Sequence, residues 1–558
     1  MPDLELNTED IKLPEELQVK TLAHHGICAG YIDKIKLVER IDARLPIGKE
    51  KGAILTHGQR VKAMIINGLG FTQSPIYLTP NFFKNLPVEL LFGKGIKAEH
   101  FNDDALGRTL DAIYKYGATA LFAEIANEIA VEVMPKQKKV QLHIDTSSLK
   151  VSGDYDVEED YPDDNNRPPL PKYGHSKDHR PDLKQLVLSL TVSGPASLPI
   201  WFEGIDGNSQ DKSNFHDTLA KINEFQTALQ DAPDFLVVAD SALYVNGKLK
   251  EAYYDWVTRV PENIKYAKEL VKTDHDKLAW SSLDNGYQYV WIGHEDREMK
   301  QHWAMFHSEQ ACKKETETLN KRIEKALIVA QKVAKKLSKQ PFACEVDAQQ
   351  AIDKFKKSLK FHVISSDIVT TTKFSGRGRP RKTEKASVST FQTQIELIDS
   401  PEKQQPHRNK LGRFILGTNQ LDDPDIDASS LLSTYKEQQN VERGFRFIKD
   451  PQFHLNGIFL EKVERINSLM MIMTLCLMVY NVGQYEIREA LEAQGETVKN
   501  QVGKATNTPT LRWLFQQMAG VYSVSVDGGR SCISGLTEEK RKIVMLCGED
   551  IARIYQMA

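Results

Sequence analysis

Three carboxylates stand in this chain where they could serve one site. Asp145 closes the run VQLHID, Asp240 closes DFLVVAD, and Glu442 lies inside SSLLSTYKEQQNVERGFRFIKDP. Carboxylates brought together repel unless a cation neutralises them. A hard divalent ion such as Mg2+ suits oxygen ligands, and two such ions suit in-line phosphoryl transfer. Each acid alone has a plainer reading, since an Asp after a strand commonly caps a helix or forms a turn. In the third segment Ser429 and Ser430 can cap a helix that Pro451 stops. At about 100° per residue, Tyr435, Gln438, Glu442 and Lys449 fall near 0°, 300°, 340° and 320°, on one narrow stripe. That stripe can set a metal ligand beside phosphate-binding groups, or it can be a solvated polar face. Gly444 and the crowded Phe445 and Phe447 indicate a packed helix.

The elements that must position these residues read as α/β. VQLHID alternates apolar and polar residues, which is a strand period, and ends at Asp145. The near-continuous apolar run before Asp240 suits a strand buried on both faces. Functional groups of open α/β sheets gather beyond the carboxyl ends of the strands. Further strands are expected at 185–192, 198–203 and 256–260, and a helix at 214–229. Helical periodicity dominates the N-terminal part, at 31–45, 59–69 and 105–133. Strand-like segments at 287–292 and 303–306 precede a long polar helix over 313–339, with nine Lys/Arg against three Glu. Strands at 360–364 and 391–398 flank the basic loop SGRGRPRK, and 413–417 returns to the main sheet. The expected organisation is a helical domain at 1–135 for DNA-end binding or dimerisation, and a core at 136–274 and 413–485. A β-rich insertion at 275–412 interrupts the core, and a helical region follows at 486–558.

Composition bounds the remaining readings. Lys and Arg number 73 against 76 Asp and Glu, a formal charge of −3, so any anion site must come from local clustering. The six cysteines form no CxxC pair, which argues against a disulfide scaffold or a cysteine zinc module. The acidic N-terminus has no apolar run, so neither a signal nor a transit peptide is expected. The most apolar stretch, 466–480, is shorter than the ~20 residues that span a bilayer and reads as a buried core helix. The expected setting is cytoplasmic, with no membrane and no nucleotide cofactor. His175 and His179 have the spacing of helical metal ligands, but Pro181 suggests a loop and no third soft ligand is near. Lys177, His179 and Arg180 are read instead as approaching DNA phosphate. Within SGRGRPRK, Arg377 and Arg379 could enter a narrow A·T minor groove, since the segment resembles an AT-hook core. It could equally be a basic hairpin tip that touches phosphates. The basic helix would track a DNA backbone or form a solvated face.

Taken together, these blocks resemble DDE transposases of bacterial insertion sequences. The group in question carries its third acid in a Tyr-x2-Arg-x3-Glu-x6-Lys signature, which falls here on Tyr435, Gln438, Glu442 and Lys449. Gln438 stands where Arg is usual. LHIDTSS resembles the first acid block, VVADSALY the second, and GHSKDHRPDLKQ a block that follows the first acid in one branch. The resemblance runs from about 142 to 477. It implies a ribonuclease H-like core, a mixed sheet with helices on both sides, and a mostly β insertion between the second Asp and the Glu. It implies two Mg2+ ions, with Mn2+ as a substitute, held by Asp145, Asp240 and Glu442. Tyr435, Gln438 and Lys449, with Arg443 or Arg446, would hold terminal phosphates. The implied partners are double-stranded DNA, as terminal inverted repeats and target, and a second copy of the chain on that DNA. The implied reaction is hydrolysis that frees 3′-hydroxyls, followed by their joining to target DNA. Two rivals share the fold: a DNA-binding relative without chemistry, and a Mg2+-dependent nuclease without strand transfer.

Overall fold

The computed structural model describes residues 17–47, 53–71, 76–134, 139–151, 153, 155, 167–175, 180–209, 211–227, 234–296, 299–373, 388–421, 426–450, 460, 462–526 and 531–557. The chain divides into two compact units. The first comprises Met1–Lys248, Ala252–Tyr254 and Tyr435–Ala558, and the second Leu249–Glu251 and Asp255–Thr434. The expected insertion limits, 275 and 412, fall inside the second unit rather than at its ends.

The first unit opens with helices α1 (His25–Lys34), α2 (Leu37–Arg44), α3 (His57–Leu69), α4 (Asp103–Tyr116) and α5 (Ala118–Val133). The single helix expected over 31–45 is two, because Lys36 takes a left-handed conformation (φ 50°) between them. Strands β1 (Lys139–Lys150), β2 (Gln185–Ser193) and β3 (Leu198–Ile205), helix α6 (Asp211–Thr227) and strand β4 (Asp234–Ala239) follow. After the second unit come α7 (Gln439–Ile448) and α8 (Val463–Gln494). The four strands lie in the order β3-β2-β1-β4. The first three pair antiparallel and β4 runs parallel to β1. This is the mixed sheet of a ribonuclease H-like core.

Helices cover both faces of that sheet. Leu190 of β2 pairs with Phe202 of β3 and Asp145 of β1, so these three share one face. On that face a Cβ at Gly444 of α7 would meet both Leu190 and Leu477 of α8. The opposite face carries Leu142 and Trp201, packed with Ile222 of α6 and Ala123 of α5. Every residue of β2 is buried, as a strand covered on both sides requires.

The apolar stretch at 466–480 sits inside a longer helix. The 32 residues of α8 are long and apolar enough to cross a membrane by length and composition alone, yet 83% of the apolar window is buried inside the protein. Its Arg465 binds Asp111 of α4 through two 2.7 Å bonds, and Ser468 donates to the Leu110 carbonyl. One continuous core runs from Leu22 through α8 to Tyr555. The Tyr555 hydroxyl donates to the Ala23 carbonyl, tying the C-terminal segment to the N-terminal helices.

The second unit has strands β5 (Asp255–Arg259), β6 (Ser281–Leu283), β7 (Tyr287–Asp296), β8 (Met299–Ser308), β9 (His362–Lys373), β10 (Val388–Asp399) and β11 (Arg413–Thr418). The order β5-β11-β8-β7-β6 is antiparallel throughout, while β9 and β10 form a separate hairpin. A 31-residue helix, Glu309–Lys339, follows β8. It packs Leu319 on Phe361 and Leu411, and Ala330 with Ala334 on Phe355.

Candidate active site

Strand register puts two of the acids at the same end of the parallel β1–β4 pair. The parallel pairing of β1 with β4 ends at His143 opposite Val238. Asp145 and Asp240 each lie two residues beyond that last pair, Asp145 still within β1 and Asp240 just past the end of β4. β1 does not stop at Asp145 as its alternating pattern suggested. It runs on to Lys150, because Thr146–Leu149 stay buried and paired along β2. Asp145 is therefore held mid-strand, at the point where β4 ends beside it. Its Oδ1 accepts from the Thr146 amide at 2.7 Å.

Asp240 begins a turn instead. Its Oδ1 accepts from the Ala242 amide at 2.8 Å, and its carbonyl from the Leu243 amide. His216 of α6 braces this turn. Its Nε2 donates to the Leu243 carbonyl at 3.2 Å, and its Nδ1 faces the Tyr254 hydroxyl at 3.4 Å. Burial lowers the pKa of His216, which favours the neutral ring those two contacts require.

Glu442 is delivered by α7. The segment expected as one helix over the third acid block breaks in two, Ala428–Lys436 and α7, with a turn at Glu437 and Gln438. Tyr435 and Glu442 thus do not share a continuous helical stripe. Val441, Gly444, Phe445 and Ile448 are buried against the sheet and α8, which leaves Glu442, Arg443 and Arg446 exposed. Glu442, Arg446 and Lys449 follow the i, i+4, i+7 spacing of one face. Because α7 packs on Leu190, the pair partner of Asp145, it lies on the face to which Asp145 belongs.

Gln438 is placed away from solvent. It is 8% exposed, and its Nε2 donates to the carbonyl of Ile144 at 2.7 Å. The turn before Glu442 is thereby bonded to the residue before Asp145. Beside it, His143 is 3% exposed at the side chain, with Nε2 3.7 Å from Glu437.

Basic groups collect around the outer side of α7. Arg443 donates to Asn440 at 3.3 Å. Arg488 of α8 lies close enough that Arg443 adds to the burial that lowers its pKa. Arg512 bonds Asp450 just past α7. Arg488 and His216 escaped the sequence reading because only tertiary packing brings Arg488 near Arg443 and His216 to the turn that follows Asp240. Arg180 is half-exposed and paired two-pronged with Asp182, at 2.8 and 2.7 Å. Lys177, His179, Arg377 and Arg379 lie outside the described residues.

The donor set suits a hard cation: three carboxylates, with no thiolate. Two of them lie just beyond the last register pair of β1 and β4. Among the described residues, however, no group of three or more His, Cys, Asp or Glu is gathered closely enough to hold a metal ion. Glu442 is carried by a helix that packs on the same side of the sheet as Asp145.

A family profile described as "Transposase DDE domain" matches residues 136–479, more than half of the chain and all three acids. The chain belongs to the transposase DDE domain family. Ahead of that match, residues 17–127 fit a domain of unknown function, DUF4277. No curated protein matches the chain. Among solved structures, the piggyBac transposase synaptic complex with hairpin DNA aligns over 90% of this chain and 82% of its own, at 8% identity and a TM-score of 0.37.

Proposed function

We propose that this transposase binds the terminal inverted repeats of its own element, cleaves the phosphodiesters there and joins the freed 3′ ends to target DNA. The observation that supports the reading is the register of β1 and β4, whose parallel pairing ends two residues before both Asp145 and Asp240, within a DDE domain. Asp145, Asp240 and Glu442 would hold divalent metal, Mg2+ or Mn2+. Bound there, it supplies charge neutralisation and an activated oxygen nucleophile.

The chain's own residues do the rest. Asp145 is fixed by its strand and by the Thr146 amide, and Asp240 by its turn and by His216. Glu442, on the exposed side of α7, is the acid that can complete the set when DNA and metal arrive. Tyr435, Arg443, Arg446 and Lys449 hold terminal phosphates, and Arg488 adds charge behind Arg443. Gln438 serves from beneath, as a positioning residue. No side chain is required as nucleophile. Two ends must be cut in concert, so the active form is a dimer on DNA.

The test uses purified protein, labelled DNA from both flanks of its own gene, and Mg2+. Asp145→Asn and Glu442→Gln should each lower cleavage about 10³-fold or more while duplex affinity stays within a few-fold. Joined products from wild type separate transposition from simple nuclease action. Equal cleavage by wild type and Glu442→Gln would remove that residue from the site. Binding with no cleavage, under Mn2+ as well, would leave a DNA-binding relative without chemistry.

A further inference from the structure

The helix Glu309–Lys339 has an outer face that neither the acids nor α7 account for. With buried Leu319 set at 0°, Ala330 and Ala334 fall at about 20° and 60°, on the side that packs inward. Lys314, Lys321, Lys325, Lys332 and Lys339 fall between about 200° and 240°, on the opposite side. All five are exposed, and none is ion-paired with any described acid. The nearest acids, Glu317 and Glu324, sit on the flank at roughly 140° to 160°. From Lys314 to Lys339 the row extends about 37 Å at 1.5 Å per residue.

A helix face that is only solvated gains by mixing signs, since Glu and Lys four residues apart stabilise it while like charges repel. Here one sign is concentrated, on a chain whose total charge is −3. The repulsion is relieved by a long, regularly charged anion. Ile328, 47% exposed, lies in the middle of the row and would suit an apolar contact with another helix. A second copy bringing the same five lysines against it would repel, however, which disfavours self-association. The row is also about as long as one turn of B-DNA, roughly 34 Å.

We propose that this lysine row binds the sugar-phosphate backbone of duplex DNA, as an electrostatic track. The proposal rests on the reading of the chain as a transposase. Lysines act here as point charges, so the row should bind without regard to sequence and supply affinity rather than specificity.

The experiment measures affinity of the full chain for a labelled 40-base-pair duplex of arbitrary sequence across a series of salt concentrations. It compares wild type with the triple variant Lys321→Gln, Lys325→Gln, Lys332→Gln and the corresponding Lys→Arg triple. Each phosphate contact contributes about 0.9 to the slope of log K against log salt, so the Gln triple should flatten it by about 2 to 3 and weaken binding at least tenfold at low salt. The Arg triple should match wild type. A Gln triple with wild-type slope and affinity overturns the track and leaves the acid-site reading intact. A Gln triple that changes only the oligomeric state overturns it in favour of a helix contact between copies. Wild type that binds no duplex at any salt overturns both readings together.

Discussion

Gln438 is the residue on which the geometry of the acids turns. A glutamine there brings no charge into the buried space, whereas a guanidinium would. Its Nε2 bond to the Ile144 carbonyl links the start of α7 to the strand one residue before Asp145. Gln438→Leu should leave that carbonyl unpaired and cost about 1–3 kcal/mol of stability. If Gln438 positions Glu442, cleavage should fall at least tenfold with duplex affinity retained. Urea unfolding, salt-dependent binding and cleavage, measured on one preparation, separate the two roles. Reduced affinity with cleavage per bound complex unchanged would return Gln438 to the phosphate contact that the signature implies. His216→Gln probes the other acid. An amide that keeps the Leu243 bond should preserve cleavage better than His216→Ala, and equal loss in both would show that the bond to the turn does not matter.

At the scale of elements, α7 is held where it is by what Gly444 lacks. A Cβ there would stand 3.0 Å from Leu190 Cδ2 and 3.1 Å from Leu477 Cδ2, tighter than ordinary contact. Gly444→Val should push the helix off β2 and cost about 1–3 kcal/mol, with a larger loss of cleavage than of DNA binding. Gly444→Ala should be milder on both, since a single methyl needs only small shifts of two flexible leucines. A valine variant with unimpaired cleavage would show that Glu442 tolerates movement of its helix. The strands and helices around the acids were legible because local periodicity reports burial: Leu236–Ala239 are buried, and Asp234–Ala239 is a strand. The reach of β1 beyond Asp145 was not, because polar Thr146, Ser147 and Ser148 are buried by neighbours distant in sequence. Nor was the break at Glu437 and Gln438, for no Gly or Pro marks it. A stripe computed on one unbroken helix placed Gln438 beside Glu442, whereas the turn sends its side chain to Ile144.

Across the whole first unit, the N-terminal and C-terminal segments share one core, and its least ordinary members are two histidines. His24 and His25 stack at 4.4 Å, with His24 also stacked on Phe515 at 4.6 Å. His24 donates to the Leu69 carbonyl and His25 to that of Leu22. Burial, then the proximity of His25, holds the His24 pKa well below 6.5, and burial lowers that of His25 to about 4. Both rings are therefore neutral in the folded chain and take up protons more readily when it unfolds. Their contribution is complete above pH ~6.5, the unfolded value, and is lost as pH falls towards the folded pKa. His25 alone should account for about 3 kcal/mol lost between pH 6.5 and 4. The expected profile is flat from pH 8 to 7 in these groups and falls below 6.5, with a slope approaching two protons. Urea midpoints at pH 8, 6.5, 5.5 and 4.5 would measure it. His25→Gln, which can keep a donor to Leu22, should lower stability at pH 8 yet flatten the acid slope by about one proton. An unchanged slope in that variant would assign the acid loss to carboxylates and leave the histidine pair as packing alone.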